Sequence, residues 1–182
     1  MALLENERIR LRNLEPEDLD ILYRWENDAS LWGVGDTVSP FSRYVLKEYI
    51  AESHRDIYEL RQLRLMIEWR SGGSAAGLVD LFDFNPHHRR AGVGILVDAL
   101  YRQKGLATEA LNLLVDYAFS FLKLHQLYAH VPVFNEASKA LFVRCGFVMT
   151  GVLSEWITGS EGYADVWVMQ RLNKDRSMSA NH

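Results

Sequence analysis

The sequence is short of several things, and each shortage removes a class of answer. Among 182 residues there is one cysteine, Cys145, so no internal disulfide framework can form and a reducing compartment is compatible. No stretch approaches 18 uncharged apolar residues, which leaves no candidate for a membrane-spanning helix. Met1 to Glu7 lack a basic segment followed by an apolar one, so no secretory leader is expected. Basic charge is not in excess: 20 Lys and Arg against 24 Asp and Glu give −4, and no broad footprint for nucleic acid results. A Walker A pattern is missing. Gly92-x-Gly94 lacks the third glycine of a dinucleotide fingerprint and opens a strand. His87-His88 has no partner ligands at metal-binding spacing. Repeats and low-complexity segments are absent too. The expected setting is cytoplasmic.

What is present reads as a single domain over residues 1–172, with a polar tail over 173–182. Apolar residues make up 48%, enough for a real core. Arg8 to Arg12 alternates with period two and predicts a strand. Glu15-Pro16-Glu17-Asp18 opens a helix, with proline near its first position and acids in its first turn. Ser39-Pro40 reads as the start of a second helix with Phe41, Val45, Tyr49 and Ile57 as its buried stripe. Leu63 to Trp69 and Gly77 to Phe84 predict strands joined by a turn at Ser71–Ser74. Ala91 to Val97 predicts the next strand, followed by a loop and a long amphipathic helix to about Leu122. A short strand at Leu127–Val131, a helix from Asn135 to Arg144 ended by Gly146, and strands at Phe147–Leu153 and Tyr163–Leu172 complete the chain. The order β-α-α-β-β-β-α-β-α-β-β implies an α/β architecture with a mixed, twisted sheet covered on both faces.

The chain is organised around Tyr101 to Leu111. Gly105 lets backbone approach a ligand closely, and Ala107 keeps the helix start uncrowded. The free N–H groups and positive dipole end of that helix make an anion site suited to a diphosphate. Arg102 and Lys104 add charge beside it.

This strand–turn–helix resembles motif A of the GNAT acetyltransferases, [R/Q]-x-x-G-x-[G/A], matched by Arg102, Gly105 and Ala107. Asn135 to Phe147 is similar to that family's motif B, with Asn135, Ser138, Leu141, Gly146 and Phe147 matching. The element order is also that of the GNAT fold, so the resemblance covers nearly the whole chain. Features shared with the spermidine and ribosomal-protein N-terminal acetyltransferase branch are His88-Arg89-Arg90-Ala91, Lys104-Gly105-Leu106-Ala107-Thr108 and Gly162-Tyr163-Ala164-Asp165.

The resemblance implies acetyl-CoA as co-substrate, with its pyrophosphate on Arg102, Gln103, Lys104, Gly105, Leu106, Ala107 and Thr108. Pantetheine would run along Ile95, Leu96 and Val97 towards Asn135 and Ser138. A splayed gap between the fourth and fifth strands would expose backbone amides to the thioester carbonyl. The acceptor would be an amine, and it must first lose a proton, because an alkyl ammonium near pKa 10 has no lone pair for attack. Asp80 and Asp83 on the third strand are the base candidates, with Glu155 and Asp165 behind them. Position 92, an acid in some spermidine enzymes, is Gly92. Many relatives carry a general-acid tyrosine where this chain has Phe142, and losing a general acid typically costs about 10²–10⁴ in rate. A thiolate with a pKa of about 8.5 is a fair leaving group without one.

Acceptor identity stays open between a polyamine or other small amine and a protein N-terminus. The loop Leu31 to Pro40 holds one acid, Asp36, flanked by Glu26, Asp28, Glu48 and Glu52. An acetyl-CoA-binding regulatory module is the alternative that Phe142 raises. Self-association is compatible with the sequence, and His87 to Arg90 is too small a basic patch to signal RNA. Cys145 reads as a packed small residue before Gly146 rather than a nucleophile.

Overall fold

Alternating apolar residues and three well-placed turns produce a seven-stranded sheet of order β1-β2-β3-β4-β5-β7-β6. The structure is a computed structural model that describes residues 3–32, 37–159 and 161–174. Its strands are β1 (Ile9–Arg12), β2 (Leu63–Trp69), β3 (Ser74–Asn85), β4 (Arg90–Val97), β5 (Gln126–Pro132), β6 (Val148–Gly159) and β7 (Gly162–Leu172). Every neighbouring pair is antiparallel except β4 and β5, which run parallel. The helices are α1 (Leu19–Glu26), α2 (Ala29–Trp32), α3 (Arg43–Glu52), α4 (Ile57–Leu60), α5 (Leu106–Asp116) and α6 (Glu136–Arg144).

Two cores separate the sheet's faces. On one, α5 lays Leu106, Ala110, Leu111, Leu114 and Val115 against Leu65, Ile67, Val79, Leu81 and Val93, and α6 adds Phe142. Fully burying one such leucine is worth about 2 kcal/mol. On the other, α1 and α3 bring Leu22, Trp25, Leu46 and Ile50 onto Met66 and Leu78. Alternation along β3 sets the division: Val79 and Leu81 face α5, Leu78 and Asp80 face α1 and α3.

Several expectations shift in detail. Ser42, not Ser39, caps the second helix, its Oγ accepting from Val45 N at 3.1 Å. The reason is Asn27, whose side-chain amide bonds both the N–H (2.8 Å) and the carbonyl (3.1 Å) of Phe41 and keeps that residue out of the helix. The buried stripe is therefore Leu46 and Ile50, Val45 is exposed, and Ile57 belongs to α4. The long helix leaves α geometry at Asp116 and closes as a π turn, Tyr117–Phe121, with Leu122 N bonded to Tyr117 O. Gly146 ends α6 at φ +81°, the left-handed conformation expected of it. The early loop expected at Leu31–Pro40 falls partly outside the described residues, as does most of the polar tail.

Polar ties fasten the first turn to the sheet. Arg12 bonds both oxygens of Asp18, at 2.7 and 2.9 Å, and also reaches Glu68, which accepts from Arg10 at 2.6 Å. Glu68 is nearly buried, which alone pushes its carboxyl up. The bonds from Arg12 and Arg10 outweigh that and hold it below the usual carboxylate range. Its unfolded value is about 4.3, so its contribution is complete above that pH and disappears as pH falls through the lower folded value. Thermal melts between about pH 6 and pH 3 are expected to show a midpoint that falls on the acid side. Glu68→Gln should cost about 2 kcal/mol at neutral pH and flatten that fall, as denaturant titrations would show.

Candidate active site

Parallel pairing of β4 with β5 lasts for three residues, Arg90, Ala91 and Gly92 opposite Gln126, Leu127 and Tyr128. Beyond them β5 keeps its bonds to β7 as far as Pro132, and β4 keeps its bonds to β3 as far as Val97. The two strands part like the arms of a V. One edge of Ile95, Leu96 and Val97 then has no strand partner among the described residues, and all three are partly exposed. Backbone amides left without a ladder partner seek another acceptor.

Both helices that follow these strands start at the open end of the V. Asp98 closes β4, accepting from Leu100 N (3.0 Å), the Trp25 indole (2.8 Å) and Arg24 (2.7 Å). Burial pushes its carboxyl up, but these donors prevail and hold it below the usual range. They also tie α1 to the strand end. The chain then passes a single 3-10 turn, Ala99–Tyr101, and folds back so that Arg102 Nε bonds Val97 O at 3.1 Å. Gln103 and Gly105 both take positive φ, +61° and +80°. Glycine is at home in that conformation and glutamine is not. The N–H groups of Leu106, Ala107 and Thr108 form the first turn of α5, where no preceding carbonyl serves them. Leu106 is buried, while Gln103, Lys104 and Gly105 are exposed. Arg8 braces the loop by bonding Lys104 O at 2.8 Å and pairing with Glu109.

Asn135 caps α6, its Oδ1 accepting from Ser138 N at 3.1 Å. The far end of α6 returns to the start of α5, where Arg144 reaches Thr108 Oγ1 at 3.3 Å. Cys145 is buried against Thr108 O, and burial raises its thiol. It is packed, as expected. Phe142 is buried too, its ring meeting Phe147 edge-on at 5.0 Å.

The base candidates separate sharply. Asp80 faces α1 and α3 with both oxygens on Arg64, at 2.7 and 3.1 Å. Arg64 also bonds Glu26 at 2.5 Å and stacks over Tyr49. Two carboxylates therefore share one guanidinium and leave one negative charge in excess. Asp83 lies at the closed end of the V, in a bulge at φ +47°, accepting from Tyr128 OH at 3.2 Å. Burial, then the Asp83 charge, raise the Tyr128 phenol. Asp165 receives Glu155 N at 2.8 Å and so stabilises a bulge in β6. His87 and His88 meet edge-on, His88 N–H also donates to Asn85 Oδ1 at 2.8 Å, and no metal-like cluster occurs among the described residues.

Gly92 and Gly94 floor this face of β4. A Cβ on Gly92 would sit 2.3 Å from the Phe82 ring, so the aromatic occupies the space of the missing side chain. Above Gly94 the nearest atoms belong to Asp80, at 3.7 Å from such a Cβ.

Comparison with known proteins agrees with this arrangement. Residues 8–148 match the model of the acetyltransferase (GNAT) domain. The chain belongs to the GNAT acetyltransferase family. Relatives include the spermidine N(1)-acetyltransferase of Escherichia coli (strain K12), 34% identical over 80% of this chain and 75% of that one. A putative ribosomal N-acetyltransferase of Bacillus subtilis is 28% identical over 80% and 81%. A crystal structure of spermidine N-acetyltransferase from Vibrio cholerae in complex with CoA and spermine superposes with a TM-score of 0.83 at 30% identity, covering 92% of this chain and 96% of that one. This GNAT protein is an enzyme that moves an acetyl group from acetyl-CoA to an amine. Among the described residues no helix is long and apolar enough to cross a membrane.

Sequence reading missed the charge cluster, because Glu26, Arg64 and Asp80 meet only through the register of β2 with β3 and the docking of α1. Removing Arg64 would leave two carboxylates facing each other with little water. Arg64→Ala is expected to destabilise the fold by about 3 kcal/mol, and Arg64→Ala/Asp80→Asn by distinctly less, in equilibrium urea unfolding.

Proposed function

We propose that acetyl-CoA enters the open end of the V and that the acceptor is a small alkyl polyamine. The observation that supports this most is the early parting of β4 and β5 with the start of α5 at its mouth. In this reading the pyrophosphate lies on the N–H groups of the Arg102–Thr108 segment, where unpartnered donors and the helix dipole favour an anion. Pantetheine pairs with the free edge of Ile95, Leu96 and Val97 as a strand would. Asn135 and Ser138 stand at the opposite arm. The thioester carbonyl then meets backbone N–H groups of β4, which suit the oxyanion that develops during attack.

A cationic acceptor suits the charge balance of the adjoining face. Glu26 and Asp80 exceed Arg64 by one negative charge, and the relatives named for spermidine accept such a cation. Asp80 acts here as an electrostatic lure and wall, with both of its oxygens engaged by Arg64. Phe142 packs in the core, so the CoA thiolate leaves without a proton from that position. A protein N-terminus is the second reading, favoured because the β5–β7 portion of the same face carries no packed helix among the described residues and could admit a chain end. Exposed Val148, Met149, Val152 and Trp156 along edge strand β6 support self-association of this enzyme.

Thiol release from acetyl-CoA should saturate with spermidine or spermine and stay near background with peptides beginning Ser, Ala or Met. The reverse pattern would transfer the assignment to the N-terminal reading. Gly105→Val is expected to weaken acetyl-CoA binding at least tenfold by calorimetry, since a branched side chain resists φ +80°.

A further inference from the structure

Attack on the thioester needs an amine stripped of its proton, and the carboxylates first considered are poorly placed to take it: Asp80 is engaged by Arg64, and Asp83 sits at the closed end of the V. The face over Gly94 offers another group. Gly92 lies opposite Tyr128, and continuing that register by two residues puts Gly94 across the opened gap from His130. Tyr128 and His130 share one face of β5, with rings 5.5 Å apart. That face is the one that carries Phe82 and Asp80, because Phe82 packs both over Gly92 and edge-on to Tyr128 at 6.0 Å. The His130 side chain is exposed and makes no hydrogen bond among the described residues, while its backbone pairs with Val168 of β7. It is the first residue on that face of β5 beyond the last pair with β4.

The geometry points to His130 as the general base of this enzyme, taking the proton of an ammonium held over Gly94 between Asp80 and the imidazole. This rests on the placement of acetyl-CoA in the V. The groups around His130 fit the task. Tyr128 flanks it on its own strand, with Asp83 and Arg90 acting on that phenol. Asp80 and Arg64 stand across the gap, and Val168 of β7 beside it is apolar. Histidine is the side chain whose ordinary titration falls near neutral pH, where a base is most effective.

The step balances. The ammonium gives one proton to a ring nitrogen of His130, and the freed lone pair forms the C–N bond to the thioester carbon. The C–S bond breaks with its electron pair on sulfur. The nitrogen's second proton passes to that sulfur, yielding CoA thiol and the acetylated amine, and the imidazolium returns its proton to solvent.

His130→Gln and His130→Asn test it on the intact enzyme. Both should keep acetyl-CoA affinity within about twofold and lower kcat/KM for spermidine by about a hundredfold at neutral pH. Both should also abolish the limb that a histidine base gives between about pH 5 and 8. The loss should shrink at least tenfold with a fluorinated alkyl amine, which is largely neutral already and needs no base. Activity within threefold of wild type would overturn the proposal. So would a loss that keeps the pH limb and is equal for both amines. Failure of the acetyl-CoA placement would appear separately, as unchanged binding in Gly105→Val.

Discussion

Three residues of parallel pairing between β4 and β5 set the terms for everything else in this molecule. A sheet that stayed closed would satisfy its backbone and leave nothing to offer. Because the ladder stops at Gly92 and Tyr128, the outer half of β4 keeps an edge without a strand partner among the described residues, partly exposed. That half is held in place by the packing of α5 on one face and of α1 with α3 on the other. Both arms of the V are held from outside, β4 by β3 and β5 by β7, so the gap cannot simply zip shut. Asp98 then fixes how β4 leaves the sheet and hence where the turn before α5 begins.

The site divides into a part governed by backbone and a part governed by side-chain charge. The α5 side is built from N–H groups and two positive φ angles, with Arg8 bracing from β1. The α1 and α3 side is built from two carboxylates balanced against one guanidinium. The first is set by backbone geometry. The second is set by charge, and its attraction for a cation is screened by salt. In the proposed placement, acetyl-CoA and amine would meet these two parts across the same strand.

What could be read from the chain beforehand follows this division. Gly105, Gly146 and Asn135 each answer a local backbone demand, a left-handed turn or a helix cap, and local demands leave signatures a few residues long. The strand and helix order was legible for the same reason. Ser39 failed as a cap because Asn27, well upstream, captures Phe41, and no local pattern announces that. The pairing of Arg64 with Glu26 and Asp80, and the position of His130 beside the gap, depend on strand register and on which face a residue meets. A shift of one residue would turn each of them away.

Gly92 and Phe82 carry an implication for how such a chain can change. The ring stands where a side chain at 92 would begin, so the two positions are not free to drift separately. Any substitution that adds a side chain at 92 meets the end of the Phe82 ring, which must turn aside or give way to something smaller. Trimming Phe82 merely uncovers a patch of strand and one edge of Tyr128. Glycine and aromatic thus form one steric unit, in which a change at either position is felt at the other.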